Sequence, residues 1–232
     1  MQLIAMHGWA GDAQGWAGFL SDWRARGWRS QCADRGYTAQ PPLAVDWLPE
    51  GGLKVVVAHS LGPHLLPPAV LEQADAVVLL ASFGRFLPQG KGGRRLAAAV
   101  ATMADQLMAD QIGGDQAGTM LRSFLERSAA PQAPSLPWPG ITATPLLETG
   151  RRRLVEDLAL LAATTGLPAG FPTRARVLIV EGREDQIVVP EARRLLGEAL
   201  PDADRLELAG VGHCLLSSAL VGMVDAWIGG LP

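Results

Sequence analysis

Apolar residues along this 232-residue chain fall into short unbroken runs rather than alternating with polar ones. Residues 3–6 form one such run, stopped by His7-Gly8, and residues 54–57 form a β-branched one that ends just before a turn at Ser60. Residues 75–81 and 176–180 repeat the pattern, and residues 28–33 and 205–208 bring the expected strands to about six. An unbroken run of four to eight apolar residues is what a strand needs when both faces of its sheet are covered. Segments of helical length lie between the runs, so strand and helix alternate and a mostly parallel sheet flanked by helices is predicted. In such a sheet, sites form beyond the carboxyl ends of the strands.

The rhythm changes between residues 83 and 171. Helical periodicity appears at 96–108 and 119–127 with no convincing strand, which predicts a helical cap insertion at 83–171 in a core made of 1–82 and 172–232. Pro131, Pro134, Pro137, Pro139 and Pro145 exclude a continuous helix from the middle of the insertion, which is expected to run as extended loop. The apolar stretch around residues 65–71, after the Ser60 turn, is expected to form a helix.

Composition narrows the functional classes. A hydrophobic share of 48 % with 19 % charged residues rules out a disordered or fibrous chain. The net charge of −3 offers no general attraction to phosphate backbones, so nucleic acid is not an expected partner. The insertion alone is mildly basic, with nine Lys/Arg against seven Asp/Glu. No apolar run reaches the roughly 18 residues of a membrane helix, and the first residues lack the basic and apolar regions of a signal peptide. A cytoplasmic monomer is the expectation. Two cysteines, Cys32 and Cys214, are too few for a disulfide framework and lack a CxxC partner, so they are expected as free, partly buried thiols, with no metal and no cofactor.

The chemistry centres on Ala58-His59-Ser60-Leu61-Gly62. A strand running into small-x-Ser-x-Gly and then into a helix is a nucleophile elbow, in which the serine sits on a strained turn and small neighbours let strand and helix approach closely. A serine hydroxyl needs a base within hydrogen-bond reach and an acid to orient that base. Asp185 follows the strand at 176–180, with Glu184 and Glu181 as rivals on the same loop, and Pro190 opens the next helix. His213 follows the last strand on the glycine-rich loop Ala209-Gly210-Val211-Gly212. Of the other histidines, His59 is expected to point off the elbow, His64 to be structural, and His7 to brace its loop. Acyl transfer also needs donors for the oxyanion, and the amides of Leu61 and Trp9 occupy the two places that supply them in this arrangement. Gly8 lets the Trp9 loop come close.

Taken together, His7-Gly8-Trp9, Asp34-Arg35-Gly36-Tyr37, residues 58–62, residues 182–185 and Gly212-His213 resemble the α/β-hydrolase superfamily over nearly the whole chain. Within it, the His-Gly-Trp start, the Ser-Leu-Gly elbow and the small size are similar to the pimeloyl-carrier-protein methyl ester esterases of biotin synthesis. Asp110-Gln111, the run Leu121-Arg122-Ser123-Phe124-Leu125 and the segment 150–161 are similar to that family's cap helices. The family's arginine pair after the cap phenylalanine has no match beyond Arg127, and the loop after Asp185 is one residue longer than in many relatives. The resemblance implies a serine esterase acting on a small acyl ester presented by acyl-carrier protein. It also implies a substrate wall from Trp9, Phe83, Phe86, Phe124 and Leu125. The basic residues of the insertion, Arg94, Arg95, Arg122, Arg127 and Arg151-Arg152-Arg153, read either as a solvated helix surface or as a docking face for an acidic partner such as the carrier protein. The alternatives are a general short-chain carboxylesterase or thioesterase, a non-catalytic binding protein, and a lyase that uses the same residues for proton transfer.

Overall fold

The computed structural model describes residues 1–109, 115–132, 141, 146–216 and 218–231. Six strands form one sheet: β1 (Gln2–Met6), β2 (Arg29–Ala33), β3 (Lys54–His59), β4 (Ala76–Leu80), β5 (Arg176–Gly182) and β6 (Asp204–Leu208). Their order is β2-β1-β3-β4-β5-β6, and every neighbouring pair is parallel. The chain leaves β1 toward β2 on one side and returns to β3 on the other, so the order reverses between β1 and β3. The crevice at such a switch point is where open parallel sheets place their ligands.

The unbroken apolar strands are buried on both faces. Leu3, Val55, Val57, Val78 and Val180 point to one side, where they meet Trp16, Phe19 and Trp23 around α1 (Ala17–Ala25) and Leu220, Val224 and Ile228 of the C-terminal helix. Ile4, Met6, Val56, Val77 and Ile179 point to the other, against Trp47, Val70, Leu71 and Leu196. Alternate residues thus serve opposite layers, because the side-chain period of a strand is two.

The stretch after Ser60 is not the single helix expected at 65–71. It is broken into α2 (Gly62–Leu65) and α3 (Pro68–Glu72). Pro67 and Pro68 are the cause: a residue before proline is pushed out of the helical region, and Leu66 and Pro67 have ψ of 146° and 137°.

Three helices lie between β4 and β5: α4 (Gly90–Ala109), α5 (Gln116–Ala129) and α6 (Glu148–Ala163). The first two are longer than the helical periodicity at 96–108 and 119–127, and the third extends past the segment 150–161 at both ends. Their apolar faces, with Val100, Leu107, Leu121, Leu154 and Leu158, join Trp9, Leu61 and Phe83 in a third cluster. Asp110-Gln111 and most of the proline-rich stretch lie outside the described residues. The remaining helices are α7 (Pro190–Ala199), with Pro190 in its first turn, and α8 (Ser218–Gly229). Among the described residues, no helix is long and apolar enough to cross a membrane.

Candidate active site

The turn between β3 and α2 holds Ser60 at φ 54°, in the left-handed region that a side chain rarely adopts. Two bonds hold it there. Its amide donates to the Leu80 carbonyl at 2.8 Å, and the Ser82 hydroxyl donates to its carbonyl at 2.8 Å. Close approach explains the small neighbours. A Cβ at Gly62 would lie 2.7 Å from the Met6 carbonyl oxygen, and one at Gly8 would lie 2.8 Å from the Ser60 Cβ. The end of β1 and the serine turn therefore press together with no room for a side chain.

Asp185 follows β5. Its Oδ1 accepts the amides of Ile187 at 2.7 Å and Val188 at 3.0 Å, which leaves Oδ2 for His213 Nδ1 at 2.9 Å. Nδ1 must carry the proton it donates to the carboxylate, so Nε2 is the acceptor nitrogen, and it lies 3.0 Å from Ser60 Oγ. The three residues are 5 %, 7 % and 3 % exposed for Ser60, Asp185 and His213, so the line runs through a nearly dry site. Burial opposes ionisation of Asp185, but the His213 charge, its hydrogen bond and the two amides outweigh it and hold the carboxyl below its ordinary value.

The rival acids have other duties. Glu184 Oε2 accepts the Val211 amide at 3.1 Å, while the Glu184 amide donates to the Val211 carbonyl at 3.1 Å. Glu184 thus fastens the loop that carries His213 two residues later. The two loops are so close that a Cβ at Gly182 would fall 2.2 Å from the Gly212 carbonyl oxygen. Glu181 is half-buried and burial raises its carboxyl above the ordinary range.

The amides expected to receive an oxyanion adjoin the serine: Leu61 is the next residue, and Trp9 follows the glycine that touches Ser60. Among the described residues, neither amide donates to an acceptor of the chain. The Trp9 side chain is turned away from the role of open substrate wall. Its indole donates to the Leu154 carbonyl on α6 at 2.9 Å, and its ring meets Phe124 edge-on at 4.9 Å. His7 braces the loop as expected, with Nε2 accepting the Arg35 amide at 3.1 Å and Nδ1 donating to the Gly8 carbonyl at 2.8 Å.

Several side chains are placed differently from expectation. Phe83 is fully buried, stacked on His64 at 5.6 Å, and its carbonyl accepts from His64 Nε2 at 3.0 Å. Phe86 packs on Phe83, and Leu125 is also buried, so these three belong to the cluster formed by α4, α5, α6 and the loops that carry Trp9 and Leu61. Both cysteines are fully rather than partly buried. Burial, then Asp34 and Asp12, push the Cys32 thiol far above its ordinary value. His59 is buried, with Nε2 donating to the His213 carbonyl at 2.9 Å, and burial together with the nearby His213 charge pushes it down to about 3. Of the basic residues, Arg94, Arg95 and Arg127 are exposed, whereas Arg122 bonds Asp115 at 2.8 Å and Thr119 at 3.1 Å. A cavity of about 690 Å³ lies between α4 and α5, lined by Met103, Met120, Phe124 and Arg127 among others but by none of the three hydrogen-bonded residues. Among the described residues, no group of three or more His, Cys, Asp or Glu could hold a metal ion.

No family model matches the sequence, and no curated protein matches it. Solved structures do. An esterase from Exiguobacterium antarcticum superimposes with a TM-score of 0.73 at 14 % identity, covering 99 % of this chain and 91 % of that one. An enol-lactonase from Burkholderia xenovorans LB400 gives 0.71 at 14 % identity over 98 % and 91 %. An esterase from a Rhodococcus species gives 0.67 at 18 % identity over 100 % and 91 %. With six parallel strands, flanking helices and end-to-end superposition on such enzymes, this chain has the α/β-hydrolase fold.

Proposed function

We propose that the protein hydrolyses carboxylic esters through an acyl-enzyme on Ser60. The observation that carries this reading is the unbroken line from Asp185 Oδ2 through His213 to Ser60 Oγ, with bonds of 2.9 and 3.0 Å. His213 Nε2 takes the hydroxyl proton as Ser60 Oγ attacks the ester carbonyl, and Asp185 stabilises the imidazolium that forms. The carbonyl oxygen gains its charge between the Trp9 and Leu61 amides, where each donor lowers the barrier by roughly 3 kcal/mol. His213 then passes its proton to the departing alkoxide. Water, deprotonated by the same nitrogen, releases the acid and restores the serine. Solved neighbours described as esterases support ester substrates.

The finer reading is that the ester is the methyl ester of a pimeloyl chain on acyl-carrier protein, with residues 83–171 as a cap over the site. It rests on the sequence resemblance, on Phe124 standing against Trp9, and on exposed Arg94, Arg95 and Arg127 along α4 and α5. Arg122, tied to Asp115, contributes least to docking on this reading. The test compares carrier-bound pimeloyl methyl ester with free short-chain esters, using wild type, Ser60→Ala and an Arg94→Ala/Arg95→Ala/Arg127→Ala variant. Serine-dependent turnover of the carrier-bound ester that falls in the arginine variant supports the finer reading. Turnover of free esters alone, indifferent to the arginines, leaves a general carboxylesterase.

A further inference from the structure

Asp157 is a single acid on the otherwise apolar face of α6, between Leu154, Leu158 and Leu161, and is only 2 % exposed. A carboxylate so deeply buried requires partners, and it accepts three hydrogen bonds from two residues. Arg35 holds it with two bonds, from Nε at 2.8 Å to Oδ2 and from Nη2 at 2.6 Å to Oδ1, and the Tyr37 hydroxyl donates to Oδ2 at 2.5 Å. Both partners belong to the loop after β2, more than 110 residues away in sequence. Around this point α6 and that loop are in direct contact. Arg153 Nη1 donates to the Gly36 carbonyl at 2.7 Å, and a Cβ at Gly150 would fall 2.1 Å from the Tyr37 carbonyl oxygen.

The same loop holds the strand-end that carries Trp9. The Arg35 amide donates to His7 Nε2, His7 Nδ1 donates to the Gly8 carbonyl, and that carbonyl also accepts the Gly11 amide at 3.2 Å. One turn before Asp157, the Leu154 carbonyl takes the Trp9 indole proton directly. Residues 7–11 are therefore fastened to α6 at two places: through the Trp9 indole, and through Asp157, Arg35 and His7. We infer that Asp157 is a positioning residue for ester hydrolysis, which through Arg35 and His7 fixes the Trp9 amide where the oxyanion forms. This rests on the proposed ester chemistry. Bidentate pairing suits the task, because the fork of an arginine on a carboxylate sets direction as well as distance. The inserted helices then form one wall of the oxyanion site, so a shift of α6 would shift the Trp9 amide with it.

The test compares Asp157→Asn and Tyr37→Phe with wild type and Ser60→Ala on a free short-chain ester, alongside hydrogen exchange of the segment 7–12. Asp157→Asn weakens the Arg35 pairing, and the expected result is a kcat lower by about 10- to 100-fold with KM within about twofold, since loss of a whole oxyanion donor costs about 10²–10³. Tyr37→Phe keeps the ion pair and is expected to lose about two- to fivefold in kcat in the same direction. In both, exchange in 7–12 should quicken while the sheet keeps its protection. Unchanged kcat and unchanged exchange in 7–12, with only a lower melting temperature, would overturn the proposal and leave a brace of the fold. If Asp157→Asn does not fold, Tyr37→Phe decides by the same two readouts. A wild type without Ser60-dependent turnover would overturn the ester reading and the catalytic half of this inference together, and the exchange of 7–12 would still decide whether the latch holds the loop.

Discussion

Each member of the hydrogen-bonded line owes its place to a backbone feature beside it. Ser60 is held by the Leu80 carbonyl and Ser82, Asp185 by two amides, and His213 by Asp185 and the His59 contact to its carbonyl. Asp185→Asn keeps the shape but presents the wrong partner to Nδ1, so kcat should fall about 10⁴-fold with KM little changed, as steady-state kinetics would show. His59 gives a stability prediction. Its folded value of about 3 lies below the ordinary 6.5, so in that window the unfolded chain binds the extra proton. Stability from this group is full above about 6.5 and is lost as the pH falls toward 3, with a slope of at most about 1.4 kcal/mol per pH unit. His59→Gln should flatten urea-unfolding stability across that window, and identical slopes in the two proteins would contradict it. Asp185 acts only lower, as the pH drops through the ordinary carboxyl range. At this scale the positions of Ser60, Asp185 and His213 beyond strand ends could be read from sequence because each lies on the turn or loop that follows a strand. Ser82, Glu184 and Asp157 could not, because their bonds join segments that only the fold brings together. The one signal for Asp157 was an acid at helical spacing among leucines.

Elements meet at this site through glycines and buried carboxylates. Gly8 separates β1 from the serine turn, and a methyl group there would collide with Ser60 Cβ and His59. Gly8→Ala should therefore lose at least about tenfold in kcat, because sub-ångström displacement of a nucleophile is costly, while thermal melting reports a smaller penalty of about 1–3 kcal/mol. On the far face, Asp225 of α8 accepts the Trp23 indole at 2.8 Å and Arg26 Nε at 2.9 Å, tying the last helix to α1. Asp225→Ala leaves a buried N–H unpaired and should cost about 2–3 kcal/mol in denaturant unfolding without changing KM. The strands were legible to within two residues at each end, since an unbroken apolar run has few other uses in a chain of this length. The break between α2 and α3 was less visible, although Pro67-Pro68 announced it: an apolar run suggested continuity, and the local restriction on Leu66 prevailed. The burial of Phe83 was hidden for a related reason, since sequence shows an aromatic ring beside a site but not which way it packs.

Across the whole molecule, the sheet order places the end of β1, the end of β3, the loop after β5 and the loop after β6 along one edge. Residues 9, 60, 185 and 213 meet there although more than 200 positions separate the first from the last. The alternation of strand and helix made that edge predictable, whereas the fastening of α5 and α6 to it was not. The Cys214 amide donates to the Ser128 carbonyl on α5, and Trp9 donates to Leu154 on α6. Both helices thus bond residues adjoining the site. On the proposed reading, Ser60 is a nucleophile activated by this arrangement. Its most direct test is labelling with a fluorophosphonate, followed by mass spectrometry of the modified peptide. The expected result is about one label per chain, on Ser60, with none in Ser60→Ala and labelling slowed at least about 100-fold in Asp185→Asn. An intact, folded wild type that takes no label, or takes it elsewhere, would rule out Ser60 as the activated nucleophile.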